Sequence, residues 1–372
     1  MINNFVSTNT SDEISKFIEN NKFKKFFLLT GKKSFFLSGA NILFKEVLKK
    51  KENKVYFKES FYPEINELKK IFFTVKKYKP DLIIAVGEGS VIDYSKIINC
   101  IDNVDDIEKK IIQSNCKLKK SKSSLLIIPT TAGSGAEVTS SAVIYVKKKK
   151  YSVEGKLIKP KYFFLIPNLI LKANKKIKAS SGFDAIAQSL ESIISKKSNQ
   201  LSLTYAKKSL QLSLKYYLDF LKKPNKDNSY AMALAANLSG KAINISKTTA
   251  PHAVSYPFTS LYGISHGHAV SLTLEKFFYF NFVNSNKSNA NFDLNQRFKM
   301  IFNLSNVANI NDFTSFILNI KKNLKLESNY KNLGVDIDQN LSRIISSISI
   351  QRLSNNPIEL NKNDLKYILL SK

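Results

Sequence analysis

Short apolar runs alternate with amphipathic stretches through the first half of the chain. Phe26–Thr30, Lys54–Phe57, Leu82–Val86 and Leu125–Ile128 are four or five residues long, β-branched or aromatic, and flanked by turn residues, the pattern of buried strands. Between them, Ser38–Lys50, Glu64–Lys77 and Val91–Cys100 carry apolar residues at helical spacing. Strand and helix in alternation predict crossover units and a mostly parallel sheet. Lys147–Lys150 is a run of four lysines beside Tyr145 and Val146, read as a solvated hairpin tip or protected edge. From about Asn174 the texture changes. Ala179–Ser195, Leu201–Leu221 and Tyr230–Ile245 are long, helical in period and poor in β-branched runs. The expected division is an α/β domain over 1–175 and an all-helical domain over 176–372, closely packed around a cleft.

Composition adds limits. At 372 residues the chain exceeds what one compact core usually supports. The formal charge of +29 has the look of a nucleic-acid footprint, but only Arg297, Arg343 and Arg352 of the 58 basic residues are arginine. Surfaces that read phosphate or base edges favour the arginine fork, whereas 55 lysines spread evenly among abundant Asn, Ile and Phe look like compositional drift. No nucleic-acid partner is expected. Cys100 and Cys116 cannot make a disulfide framework and read as reduced thiols. Met1–Glu19 lacks the pattern of a secretory leader, and no apolar run approaches the roughly 20 residues that span a bilayer. A cytoplasmic protein without a membrane partner is the expectation.

Two constellations carry chemistry. Asp81–Ser90 is a buried strand running into Gly87-Glu88-Gly89-Ser90, with a helix opening at once. Glycines there let backbone approach a pyrophosphate, and the helix start supplies free amides, although a structural turn uses the same residues. A second loop, Pro129 to Thr139, follows another strand and places Thr130, Thr131, Ser134 and Thr139 among small residues, a set that can hydrogen-bond phosphate, ribose or amide. The chain's three histidines all lie between His252 and His268. His252 and His266 stand in short polar interruptions of apolar helices. Asp184 and Gln188, four residues apart, share a helix face and offer a carboxylate to complete a divalent-metal site.

Gly87–Lys96, Pro129–Thr139, Asp184–Glu191, and His252 with His266 fourteen residues on, taken in that order, resemble the iron-containing (group III) alcohol dehydrogenases. The resemblance implies an N-terminal Rossmann-like dinucleotide-binding domain and a C-terminal helical metal-binding domain, the dehydroquinate synthase-like fold, with a homodimer as the usual assembly. It assigns the metal to Asp184, His252 and His266, with Gln188 where relatives usually have a fourth, histidine ligand; the donors suit Fe(II), and Zn(II) as well. It assigns the cofactor to Gly31, Gly87, Gly89, Ser90, Asp93, Thr130, Thr131, Ser134 and Thr139. Glu88 replaces a glycine of the family loop, so its side chain must point away from the phosphates or be paired. NAD-preferring relatives have aspartate at the position of Gly31; here Lys32 and Lys33 follow instead, which predicts NADPH as an accepted and preferred alternative to NADH, unless these lysines are merely solvated.

The implied activity is reduction of an aldehyde to a primary alcohol. Tyr256, His268 and Lys247 are the candidate catalytic residues. Tyr256 stands where many relatives have a proton-relaying histidine, and His268 is either its substitute or a helix cap. Lys247, Thr248 and Thr249 place a cation and hydroxyls just before His252, where general alcohol dehydrogenases of the family carry small apolar residues. An anionic aldehyde is the natural partner of such a cation, and the stretch resembles the phosphonoacetaldehyde reductase branch, which makes 2-hydroxyethylphosphonate in phosphonate biosynthesis. Alternatives are a structural Lys247–Glu191 pair with a broad short-chain or butanol dehydrogenase activity, and a non-catalytic nucleotide binder.

Overall fold

The computed structural model describes residues 4–6, 11–121, 123–348 and 350–371. It falls into two compact units, Met1–Asn174 with Pro224–Ala233, and Lys175–Lys223 with Leu234–Lys372. Pro224–Ala233, which includes the start of the helix Lys226–Ser246, clusters with the first unit.

The first unit is built on a six-stranded parallel sheet. Its strands are β1 (Asn4–Val6), β2 (Lys25–Gly31), β3 (Glu52–Lys58), β4 (Leu82–Gly87), β5 (Ser124–Pro129) and, after the hairpin formed by β6 (Ser141–Val146) and β7 (Lys149–Glu154), β8 (Tyr162–Leu165). The four runs expected as strands are β2 to β5. The continuous apolar character of β2, β4 and β5 has a direct cause: β4 is buried at every residue and β2 and β5 at nearly all, as parallel strands covered on both faces must be, whereas β3, at the edge, is only partly buried. Lys147 and Lys148 form the tip of the β6–β7 hairpin with left-handed backbone, φ 49° and 65°.

Strand order is β1-β8-β5-β4-β2-β3. The chain leaves β2 to one side to make β3 and returns to the other side to make β4, so the order reverses between β2 and β4. Such a reversal opens a crevice at the carboxyl ends of the strands, where ligands of open α/β sheets bind. The segments leaving β2, β4 and β5 there are Gly31–Ser34, Gly87–Ser90 and Thr130–Thr139. One expected element differs. Ser38–Lys50 is not one helix but the tail of Lys32–Leu37 and a second helix Ala40–Lys50, separated by Gly39 at φ 82°, a backbone state that glycine enters at little cost.

Among its described residues the second unit is helical. Lys175–Ile194 is buried along most of its length, Gln200–Lys222 lies against it, and a separate core gathers Val254, Phe258, Phe277, Ile344 and Ile368. Among the described residues no helix is long and apolar enough to cross a membrane.

Candidate metal centre and dinucleotide loops

Asp184 lies on the helix Lys175–Ile194, His252 in the first turn of Ala250–Tyr262, and His266 is the first residue of His266–Ser271. The two histidines therefore open helices rather than interrupt them. The reason is local: Lys247, at φ 62°, ends one helix, Pro251 suits the first turn of the next, and Gly263, at φ 68°, closes it. One ligand atom from each of Asp184, His252 and His266 lies within 4.8 Å of the others. His252 Nε2 is 3.1 Å and His266 Nε2 3.8 Å from Asp184 Oδ1. Donors bound at about 2.0–2.2 Å to one ion stand up to roughly 4.4 Å apart, so the three converge to within a small closing motion of a shared cation. Their chemistry fits as well, because a buried carboxylate and two imidazoles are a borderline set suited to Fe(II) or Zn(II).

Each ligand is held from behind. Gln188 Nε2 donates to Asp184 Oδ2 at 3.1 Å, while Gln188 Oε1 accepts from Ser239 Oγ at 2.9 Å. Gln188, at the position expected of a fourth ligand, thus has its amide oxygen on Ser239 and its amide nitrogen on the Asp184 carboxylate. Glu191 is fully buried; its Oε1 is hydrogen-bonded to His252 Nδ1, and its Oε2 accepts from the backbone N–H and hydroxyl of Thr249 at 2.7 and 2.9 Å. A carboxylate on the distal nitrogen fixes the imidazole's tautomer and orientation and raises its basicity. Burial alone would hold His252 neutral, but Glu191 and Asp184 outweigh it and raise its pKa to about 9. Ser255 Oγ, itself donating to the His252 carbonyl, lies 3.5 Å from His266 Nδ1. The spacing of Asp184, Gln188 and Glu191 at i, i+4 and i+7 already put all three on one helix face. Glu191 was visible in the sequence only as a possible partner of Lys247.

Gly267 sets how near the two helices come. A Cβ there would sit 1.9 Å from the Ser180 carbonyl oxygen and 3.0 Å from Asp184 Cβ, so only glycine permits this approach.

The residues expected to act on substrate separate on inspection. Thr248 and Thr249 are buried, the latter completely; the Thr249 hydroxyl donates to Glu191 and so supports His252, while the Thr248 carbonyl accepts from Asn355. Lys247 is half-buried on a turn tied down by Asn355, which donates to the carbonyls of Ser246 and Thr248 at 2.9 and 2.8 Å. Tyr256 is nearly buried, its ring stacked at 6.0 Å and 24° on that of His266. His268 Nε2 donates to the Glu327 carbonyl at 2.7 Å and its backbone N–H donates to Ser180, so this ring is a structural tie, and burial lowers its pKa.

In the first unit, Gly87 and Pro129 are register partners and the Thr130 N–H donates to the Gly87 carbonyl at 3.0 Å, which joins the two expected loops at the carboxyl end of the sheet. Val91 and Ile92 N–H both bond to the Glu88 carbonyl, leaving the amides of Gly89 and Ser90 ahead of the first intrahelical bonds, at the positive end of the ten-residue helix Gly89–Ile98. A Cβ on Gly89 would come to 3.3 Å from Ser134 Oγ, and Thr131 is half-buried on the same loop. This cradle fits a dinucleotide phosphate. Gly31 ends β2, and Lys32 and Lys33 are exposed at the start of the helix Lys32–Leu37 that follows it.

Two residues expected at the cofactor make contacts within the unit. Lys96, completely buried, donates from Nζ to Ala136 O at 2.9 Å, Thr139 Oγ1 at 2.9 Å and Ser141 O at 2.6 Å, so the Thr139 hydroxyl belongs to an internal anchor of the second loop. Asp93 accepts a hydrogen bond from the Val143 backbone; burial raises its pKa while Lys96 and that bond oppose the rise. Glu88 is paired, as its place in the loop demands: Lys58 Nζ is 3.2 Å from Oε1, and Ser90 Oγ donates to the same oxygen at 2.9 Å. Neither cysteine is activated, since burial pushes the Cys100 thiol up to about 11 and raises Cys116 too.

Replacing Glu191 tests the support of the metal centre. Glu191→Ala is expected to weaken binding of Zn(II) or Fe(II) by about 10–100-fold, with Glu191→Gln recovering part of the loss. Metal titration of both variants measures it, and unchanged affinity in the alanine variant would remove Glu191 from the site.

The description "Iron-containing alcohol dehydrogenase" fits residues 3–167 and "Fe-containing alcohol dehydrogenase family, C-terminal" fits residues 178–372. Phosphonoacetaldehyde reductase of Streptomyces viridochromogenes is 28% identical over 217 residues, 56% of this chain and 55% of the relative. The match thus spans about half the length of that relative. 4-Hydroxybutyrate dehydrogenase of Clostridium kluyveri is 28% identical over 276 residues, 72% of this chain and 73% of the relative. Among solved structures, the fold is similar to that of sulfoacetaldehyde reductase from Bifidobacterium kashiwanohense in complex with NAD+, with a TM-score of 0.85, 23% identity, and coverage of 100% of this chain and 98% of that one.

Proposed function

We infer the reaction from one premise: the chain belongs to the iron-containing alcohol dehydrogenase family. On that premise it reduces a small aldehyde to a primary alcohol, with a nicotinamide cofactor in the first unit and a divalent metal held by Asp184, His252 and His266. The observation that carries this reading is the convergence of those three side chains, each with its own buried support. When bound, the metal supplies a Lewis acid for the carbonyl oxygen and the nicotinamide supplies the hydride.

The remaining tasks belong to the chain. Glu191 presents the Nε2 face of His252, and Gln188 holds the Asp184 carboxylate. The amides of Gly89 and Ser90 receive the pyrophosphate. Tyr256, against the His266 ring, is our choice for the group whose Oη hands on the alcohol's proton, because His268 is committed to Glu327.

For the substrate we propose an aldehyde with an acid group at its far end, phosphonoacetaldehyde foremost. Lys247 supports this, as a half-buried cation two residues before the Thr249–Glu191–His252 chain. The names of the two curated relatives agree, one substrate carrying a phosphonate and the other a carboxylate. NADPH is the proposed cofactor, since no carboxylate stands at Gly31 to repel its 2′-phosphate.

Enzyme purified without oxygen is to be analysed for metal and assayed with phosphonoacetaldehyde, succinate semialdehyde and butanal, using both nicotinamides. Lys247→Ala is expected to lower kcat/KM for the two acidic aldehydes by about 10–100-fold, the worth of a charge-assisted hydrogen bond, and to leave butanal nearly unchanged. Equal rates on all three aldehydes before and after the change would instead favour a broad short-chain alcohol dehydrogenase.

A further inference from the structure

We propose that Lys58 selects the 2′-phosphate of NADPH, and that Glu88 tempers this selection by competing for the same ammonium; the proposal rests on the dinucleotide reading of the first unit. Lys58 ends β3, in register with Gly31 at the end of β2. Its side chain crosses over the end of β2: its Cε is 3.8 Å from where a Cβ on residue 31 would stand, and its Nζ reaches Glu88, on the far side of β2 after β4. The ammonium thus bridges the crevice where strand order reverses, beside the place where a dinucleotide fold reads the adenosine ribose. Glycine at 31 leaves that path clear.

The pair has room to open. The Lys58 side chain is 8% exposed but that of Glu88 is 45% exposed. Lys58 Nζ also donates to the Ser60 carbonyl at 2.8 Å, and an ammonium has three donors, so the carboxylate is an exchangeable partner on an otherwise anchored cation. A phosphate monoester carries about −1.5 to −2 charge near pH 7, more than one carboxylate, and offers three acceptor oxygens. It therefore displaces Glu88 from Lys58. NADH presents only a hydroxyl at this place and leaves the pair closed. Lys32 and Lys33, exposed at the start of the helix Lys32–Leu37, are screened by solvent and discriminate less.

The test is direct binding of NADPH and of NADH to the full chain, followed by calorimetry or by the fluorescence of the reduced nicotinamide. Lys58→Gln is expected to weaken NADPH about tenfold or more while NADH changes little. Glu88→Gln, at a half-exposed side chain, is expected to tighten NADPH severalfold relative to NADH, and this ratio decides the matter alone if the first variant does not fold. Equal weakening of both nucleotides by Lys58→Gln, or weaker NADPH binding in Glu88→Gln, overturns the proposal while leaving the dinucleotide reading intact. A wild-type chain that binds neither nucleotide overturns that reading, and the proposal with it.

Discussion

His252→Ala is expected to empty the metal centre and to lower aldehyde turnover by about 10³-fold or more. The estimate follows from what a Lewis acid contributes to a carbonyl reduction, several kcal/mol, at about 1.4 kcal/mol per factor of ten. His252 is the most constrained of the three donors: 4% exposed, with Asp184 at one ring nitrogen and Glu191 at the other. Truncation also removes one partner from each of two buried carboxylates, so metal content is to be compared with that of Asp184→Asn, which removes a charge and leaves His252 in place. Elemental analysis of protein purified without oxygen measures the first effect, and single-turnover reduction of the preferred aldehyde the second. If His252→Ala kept a full complement of metal and turned over within about tenfold of wild type, the assignment of the centre would be wrong.

The second large effect concerns the first unit. Lys96→Met keeps the length and apolar stem of the side chain and removes only the ammonium. Two backbone carbonyls and the Thr139 hydroxyl then lose their donor in a buried setting, and Asp93 loses the charge that opposes its burial. Breaking a buried, fully hydrogen-bonded charge typically costs about 3–5 kcal/mol. For a unit of this size that corresponds to a fall in Tm of about 10 °C, and Ala136 to Ser141, no longer gathered at one point, would hold nucleotide less well. Thermal unfolding monitored by circular dichroism, with and without NADPH, tests both parts. A melting temperature within about 1 °C of wild type would show that the ammonium contributes little.

What could be read from the residues alone divides along a physical line. The strands β2, β4 and β5 and the long helices were legible because burial on both faces demands continuous apolar runs and burial on one side demands helical spacing, whereas β3 is a half-exposed edge strand whose Val55, Tyr56 and Phe57 alone marked it. Gly39 was the exception, a left-handed break inside a pattern that stays amphipathic across it. Within the site, the resemblance and the clustering of histidines singled out Asp184, His252 and His266, which the fold brings together. Their supports were not legible. That Glu191 turns to His252, or that the Gln188 oxygen is engaged by Ser239, depends on which helices lie side by side. Lys96 reads as an ordinary surface lysine on a helix, since this residue type is almost never fully buried unless paired. The Lys58–Glu88 pair requires the strand order itself. Left-handed backbone at Lys247 is a weak signal here, because six of the nine described non-glycine residues with positive φ are lysines, in keeping with the chain's composition.

Composition sets few of the surface positions, and Gly267 marks a place where packing leaves a single choice. Main chain meets main chain there, so the separation of the Asp184 and His266 helices is dictated by backbone volume rather than by any side chain's choice of rotamer. The surface can fill with lysine and asparagine, and Gln188 can stand behind Asp184, while the two donors keep their spacing. Mutational pressure that rewrites the periphery has no purchase on a contact that admits only a hydrogen atom.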